Sequence, residues 1–170
     1  MLVIDAVSKI SVLFFALLWM STANASVPYR GHVDFALGDA YNINTAQIIS
    51  TNNMQLYGMT TTSHGVVLKN WFLGLGIGYY HSFRDKENMY PMFVVGRYTI
   101  EKKAVNPYIE TRMGIVYDPL WERKEQVYST LGAGVSLHKK IQLGVRLSMF
   151  SRSRFFTANA AVSVSYSFGL

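Results

Sequence analysis

The stretch Asn159-Ala-Ala-Val-Ser-Val-Ser-Tyr-Ser-Phe-Gly-Leu170 constrains this chain more than any other. Every second residue from Ala160 is apolar: Ala160, Val162, Val164, Tyr166 and Phe168. The residues between them are Ala161, Ser163, Ser165 and Ser167. Period-two alternation marks a β-strand with one apolar and one polar face. A strand in last position has no later strand to pair with. It must pair backwards, and closing onto an earlier strand leaves no open edge. The expectation is a barrel closed by this strand, with Val162, Val164, Tyr166 and Phe168 on its apolar side.

The same alternation recurs upstream. Tyr29 to Leu37 puts Val33, Phe35 and Leu37 opposite Arg30, His32 and Asp34. Trp71 to Tyr80 puts Leu73, Leu75 and Ile77 opposite Gly74, Gly76 and Gly78. Further strands are predicted over 90–100, 107–117, 126–137 and 141–150. A Thr-rich strand around Met54 to Ser63 makes eight, but its two faces are hard to tell apart. Gly38 to Asn44 reads as a loop, His64 to Asn70 as a turn and Ser151 to Arg154 as a loop. The turns near Asn70, Lys102 and Lys139 are compact. The connections near Asp39, Arg84, Asp118 and Arg152 are more variable. Short turns at one end and longer loops at the other suit a membrane barrel with both termini on the short-turn side.

Alternation alone does not say which face points out. A soluble lipocalin-like barrel also has eight strands, with its apolar face inward. Its outer face would then carry many charges, yet only 15% of this chain is charged while 50% is hydrophobic. The polar set is mostly Gly, Ser and Thr, with five isolated charges: Asp34, Arg97, Glu110, Arg112 and Arg146. Small residues and pairable charges fit a narrow lumen. Leu, Val, Ile, Met and Tyr fit a lipid-facing belt. Trp71, Tyr79, Tyr90, Tyr117, Tyr166 and Phe168 fall at strand ends, where interfacial aromatic girdles form. The fold class expected is all-β, an eight-stranded antiparallel up-and-down transmembrane β-barrel. On these faces Leu75→Arg should impair insertion, and Gly76→Ser should be milder.

The chain opens with Lys9, an apolar run from Ile10 to Met20, and then Ser-Thr-Ala23-Asn24-Ala25. A short apolar core followed by small-x-small is the pattern of a cleavable secretory signal. The run is about half of the ~20 residues a spanning helix needs. Ala23 and Ala25 are the expected cleavage pair. The expected organisation is a signal peptide over 1–25 and a barrel over 26–170.

The residues Tyr29-Arg-Gly-His-Val-Asp-Phe-Ala-Leu-Gly38, Thr62-Ser-His-Gly65, Phe72-Leu-Gly-Leu-Gly-Ile-Gly-Tyr79 and Asn106-Pro-Tyr-Ile-Glu110, with the aromatic last strand, resemble small bacterial outer-membrane β-barrel domain proteins. The broader likeness is to the OmpA transmembrane domain and OmpX. The resemblance implies a Gram-negative outer-membrane location, with outer-membrane lipid and lipopolysaccharide as surroundings. It also implies insertion by the barrel assembly machinery, which reads a C-terminal strand ending in an aromatic. Val162, Val164, Tyr166 and Phe168 would carry that signal here.

Sites of chemistry are sparse. The chain has no Cys, which removes disulfides and thiolate chemistry. The net charge of +6 is spread over scattered residues and short pairs, so no nucleic-acid partner is expected. The four His show no metal-ligand spacing, and no cofactor is expected. There is no Gly-x-Ser-x-Gly signature, and His81 and Ser82 point to opposite faces of a strand. No catalytic residue is assigned. Exposed apolar Trp121 and the loop cations Arg84, Lys86, Arg123, Lys124, Arg152 and Arg154 suit the membrane interface and lipid phosphates, or plain solvation. The constellation of most interest is Asp34, Arg97, Glu110, Arg112 and Arg146. Facing a dry lumen, these charges must pair. They form either a salt-bridge plug or a gate for small solutes. The expected role is structural or surface-interacting. The alternatives are a narrow pore and, further off, a lipid-modifying enzyme or a soluble carrier.

Overall fold

The computed structural model describes residues 28–44, 55–84, 86–102, 105–118, 126–137, 140–152 and 155–169. The expected signal peptide with Ala23 and Ala25, and the loop residues Trp121, Arg123, Lys124 and Arg154, lie outside them. Eight strands follow in chain order: β1 (Tyr29–Asn44), β2 (Gln55–Leu68), β3 (Trp71–Ser82), β4 (Asn88–Thr99), β5 (Val105–Tyr117), β6 (Gln126–Leu137), β7 (Ile141–Arg152) and β8 (Phe155–Phe168). Each pairs antiparallel with its chain neighbours, and β8 pairs with β1 from Gly31↔Phe168 to Asn44↔Phe155. The result is a closed barrel with no free edge.

The ladder registers set the shape. Partners traced from Arg30 run through Gly65, Gly74, Val95, Arg112, Thr130, Ser148 and Asn159, and return to β1 at Ala40. The offset of ten residues, at about 3.3 Å each, against eight strands about 4.7 Å apart tilts the strands by roughly 40°. Even the strands of 12 residues then rise about 30 Å, the thickness of a hydrocarbon core.

Burial decides the faces. On β8, Val162 is 65% exposed while the neighbouring Ser163 is 1% exposed. Leu73, Ile77, Val94, Ile109, Met113, Leu131, Val145 and Leu147 are exposed in the same alternation. Asp34, Arg97, Glu110, Arg112 and Arg146 are all buried inward. The apolar set faces out and the polar set faces in, so the barrel is of the transmembrane kind, opposite to the soluble one. Trp71, Tyr79, Tyr90, Tyr117 and Tyr166 all stand on the outside near strand ends.

Three boundaries differ from those expected. Gly38 to Asn44 belongs to β1, because it pairs with β8 up to Asn44↔Phe155. Loop-forming residues become strand when a partner on the barrel claims their backbone groups. His64 to Leu68 is the end of β2, and the turn is only 69–70, with Lys69 in the left-handed region at φ 56°. Ser151 and Arg152 close β7, so its connection to β8 shrinks to 153–154. The faces of β2 were hard to separate for a physical reason: its outward set includes Gly58, Thr60, Thr62 and His64. His64 satisfies its ring nitrogens locally, Nδ1 against the Tyr29 hydroxyl and Nε2 against Thr62 Oγ1 at 3.1 Å.

Phe168 lies over Gly31 of β1, where its ring occupies the space that a Cβ would need. The aromatic that ends β8 thereby fastens the seam at which the barrel closes. Gly76 shows the same device inside the lumen, so Gly76→Ser carries a steric cost of its own. A Cβ there would meet the Phe93 ring at 2.5 Å and the Thr62 carbonyl oxygen at 2.7 Å.

Leu75→Arg is expected to cost roughly 2–4 kcal/mol, as for a cation at the bilayer midplane, read by urea unfolding in lipid vesicles. Gly76→Ser is expected to destabilise as well. Adding Phe93→Leu should recover part of the loss in Gly76→Ser and none of that in Leu75→Arg. Equal behaviour of the two would contradict the faces assigned here.

Candidate functional site

The five lumen charges come from four strands. Asp34 is on β1, Arg97 on β4, Glu110 and Arg112 on β5, and Arg146 on β7. Each occupies the inward position of its strand's alternation, so the fold points all five at one axis. The structure brings every one of them together.

Asp34 is the hub. Its Oδ2 accepts from Arg112 Nη2 at 2.8 Å and from the Thr61 hydroxyl at 2.9 Å. Its Oδ1 accepts from Arg146 Nη2 at 2.8 Å and from the Ser165 hydroxyl. Arg97 Nη2 stands 3.9 Å from Oδ1. Glu110 is the second acceptor. Its Oε1 takes Arg112 Nε at 2.7 Å and lies 3.3 Å from Arg146 Nη2. Its Oε2 takes Arg97 Nε at 2.7 Å and also Arg97 Nη2. Two carboxylates thus hold three guanidinium groups, and the contacts run across the lumen between β1, β2, β4, β5, β7 and β8.

A neutral shell completes the cluster. Arg112 Nη1 donates to Thr61 Oγ1 at 2.8 Å. Arg97 Nη1 donates to the Gln142 side-chain oxygen and lies 3.1 Å from His32 Nδ1. Gln142 Nε2 donates to Ser167 Oγ at 3.0 Å, and Ser167 Oγ sits 2.8 Å from His32 Nδ1. His32, Thr61, Gln142, Ser165 and Ser167 were not singled out as site residues from the sequence. Their inward parity was the available signal, but parity alone does not say which inward residues meet.

Aromatic rings cap the charges at both ends, which corrects the expectation of a lumen filled by small residues. Toward the short turns, Phe72 meets the His32 ring edge-on at 4.5 Å, and Tyr108 lies under Arg97 at 4.8 Å. Toward the longer connections, Arg112 sits 4.9 Å from the Phe93 ring. Phe93 leads on to Tyr128, Phe150, Tyr80 and Tyr57, each ring 4.9–5.7 Å from the next. The lumen glycines make room for these rings: Phe93 faces Gly76 and Gly114 across its two ladders, and Tyr108 covers Gly134 and Gly144. Small residues and large rings alternate around these parts of the wall, as a narrow lumen requires.

The histidines do not assemble a hydrolytic relay among the described residues. His81 Nδ1 meets Asn88 Oδ1 at 2.8 Å, which also accepts from the Tyr79 hydroxyl at 2.7 Å. His81 faces out and Ser82 is buried, as the strand geometry requires. His64 bonds Tyr29 and Thr62 rather than a remote Ser. His32 does touch a serine, Ser167, but its Nε2 meets no carboxylate. No group of three or more His, Asp or Glu among the described residues is placed to hold a metal ion.

No protein-family model matches the chain, and no curated protein matches it in sequence. Solved structures do match in fold. Neisserial surface protein A (NspA) is 12% identical, over 82% of this chain and 97% of its own, with a TM-score of 0.61. The outer membrane enzyme PagL is 13% identical, over 79% of this chain and 98% of its own, with a TM-score of 0.62. Ail, the attachment invasion locus protein of Yersinia pestis, is 8% identical in its complex with the heparin analogue sucrose octasulfate, over 82% of this chain and 99% of its own, with a TM-score of 0.53. At these identities the likeness is one of architecture, the eight-stranded outer-membrane barrel.

Asp34→Ala is expected to cost about 3–5 kcal/mol, because it leaves three buried guanidinium groups to the single carboxylate of Glu110. Ser165→Ala removes one neutral donor from the same carboxylate and should cost only about 1–2 kcal/mol. Unfolding in detergent micelles, followed by tryptophan fluorescence, measures both. Equal losses would contradict the role of Asp34 as the hub.

Proposed function

We propose that the protein is a bacterial outer-membrane barrel with a structural or surface-interaction role, its filled barrel anchoring the connections 45–54, 83–87, 118–125 and 153–154 at the outer face. The observation that carries this reading is the pairing of an outward apolar band with a lumen closed from Phe72 and Tyr108 up to Tyr57 and Tyr80. An apolar exterior needs lipid around it. A lumen crossed by a charge cluster and capped by rings braces the wall and leaves the connections to meet partners. The fold shared with a Neisserial surface protein and with Ail supports the same role.

The surroundings follow. Outer-membrane lipid contacts the belt, and lipopolysaccharide meets the rim where Tyr79, Tyr90 and Tyr117 stand across β3, β4 and β5. The β8 face of Val162, Val164, Tyr166 and Phe168 is the segment offered to the barrel assembly machinery, and export rests on cleavage after Ala25. The pore reading meets an obstacle in the same lumen, since an ion would have to break buried guanidinium–carboxylate pairs to pass. A lipid-modifying reading comes with the fold shared with PagL, described as an outer membrane enzyme. Among the described residues it finds no Ser-His-carboxylate arrangement to act through.

Expression of the full chain in a Gram-negative host should place the mature protein in the outer-membrane fraction. Unboiled samples should migrate differently from boiled ones on a denaturing gel. A soluble periplasmic product without that shift would overturn the proposal. In planar bilayers the purified barrel should give no steady conductance; regular single-channel steps would transfer the role to the pore.

A further inference from the structure

We propose that the lumen binds one small monovalent inorganic anion, of chloride or bromide size, between Arg146 Nη1, the Tyr128 hydroxyl and the Asn159 side-chain amide. Three buried groups motivate it. Arg146 directs one nitrogen, Nη2, at both carboxylates, 2.8 Å from Asp34 Oδ1 and 3.3 Å from Glu110 Oε1. Its Nη1 is buried and meets no partner among the described residues. The same holds for the Tyr128 hydroxyl and for both polar atoms of the Asn159 amide. These residues are 3%, 0% and 2% exposed. Leaving such a donor unpaired costs about 1–3 kcal/mol, and more when it carries charge.

The registers put the three on one patch of wall. Thr130, Ser148 and Asn159 form a single ladder row across β6, β7 and β8. Tyr128 is the inward position on one side of that row, on β6, and Arg146 the inward position on the other side, on β7. Thr130 satisfies itself by donating to Ser148 at 3.0 Å. The inward positions beside Arg146 and Asn159 are Gly132, Ala161 and Ala40, which project little into the lumen. The three residues thus come from adjacent rows of wall in which the neighbouring inward side chains are small.

Charge decides between an anion and a water molecule. Three guanidinium groups face two carboxylates, so the cluster carries one excess positive charge. Arg97 and Arg112 turn two nitrogens each on carboxylates and place Nη1 against neutral side chains, whereas Arg146 Nη1 has no partner of either kind among the described residues. The other inward acid among the described residues is Asp118, near the mouth and bonded by Gln126 Nε2 at 3.5 Å. A water could take up the hydrogen bonds but would leave the excess charge unneutralised in a low-dielectric lumen. An anion does both.

The test uses the detergent-purified barrel. Crystals grown in sodium bromide should show an anomalous bromine peak beside Arg146 Nη1 and within contact of Tyr128 and Asn159. In solution, the urea midpoint should rise as bromide replaces gluconate at constant ionic strength, gluconate being too large to enter. The Tyr128→Phe/Asn159→Ala double variant keeps every lumen charge and should lose most of that rise. A site holding only water, a midpoint that does not distinguish bromide from gluconate, or a variant that responds as fully as the wild type would each overturn the proposal.

Discussion

A peptide group in hydrocarbon has no water to bond, so every N–H and C=O of a spanning strand needs a partner in the protein. Everything else in this molecule depends on meeting that demand at the last seam. β8 supplies it, pairing with β7 on one side and with β1 on the other. The seam carries the ring of Phe168 laid over Gly31, so the closing contact has a side-chain lock as well as a ladder. Closure with an offset of ten residues then sets tilt, height and bore together. A strand that slipped by one position would turn Ser163 and Ser165 to lipid and Val162 and Val164 to the lumen.

The bore that follows is too narrow for bulk water and too wide for small side chains alone. The chain fills it in layers. Charges sit between two sets of rings, and Arg97 and Arg112 each pair a carboxylate in the plane of the guanidinium with an aromatic ring on its face. Arginine suits this position because its flat, delocalised charge can do both at once, which lysine cannot. Asp34 joins β1 to partners on β2, β5, β7 and β8, so the cluster braces the closing seam from within. Burying ions is costly, and an apolar plug of the same volume need not be less stable. What the charged plug adds is directionality: guanidinium and carboxylate geometry admits few alternative arrangements, and each one missed leaves a buried charge unpaired.

Much of this is legible in the amino-acid sequence. Period-two alternation gave the strands, and the scarcity of charge on the polar set turned the apolar face outward. The five lumen charges were readable as a group, because inward parity in a narrow barrel forces them to meet. The network around them was not. His32, Gln142 and Ser167 come together across 110 residues of chain between His32 and Gln142, and that meeting is a matter of register. Boundaries failed where local chemistry and pairing disagree. Gly38 to Asn44 and His64 to Leu68 carry turn-like residues, yet a neighbouring strand claims their backbone groups. The rings of Phe93, Tyr108 and Tyr128 have inward parity in the sequence. Their fit depends on which glycines oppose them, and the ladders alone reveal that pairing.

The outside of β2 presses the same physics from the other direction. Thr60, Thr62 and His64 face outward, where the rest of the belt is Leu, Val, Ile and Met. A bare imidazole in lipid would be costly, but His64 has both ring nitrogens occupied, by Tyr29 and by Thr62, and the Phe168 ring covers it edge-on at 5.9 Å. Tyr29, Thr62 and His64 are thereby turned toward one another, as the charges are inside. Both sites lie against the β8–β1 seam: Tyr29 and Phe168 outside, Asp34 and Ser165 inside. Satisfying polar groups locally on both faces of the closing seam favours this register, because a slip of β8 against β1 would part Asp34 from Ser165 inside and His64 from Phe168 outside.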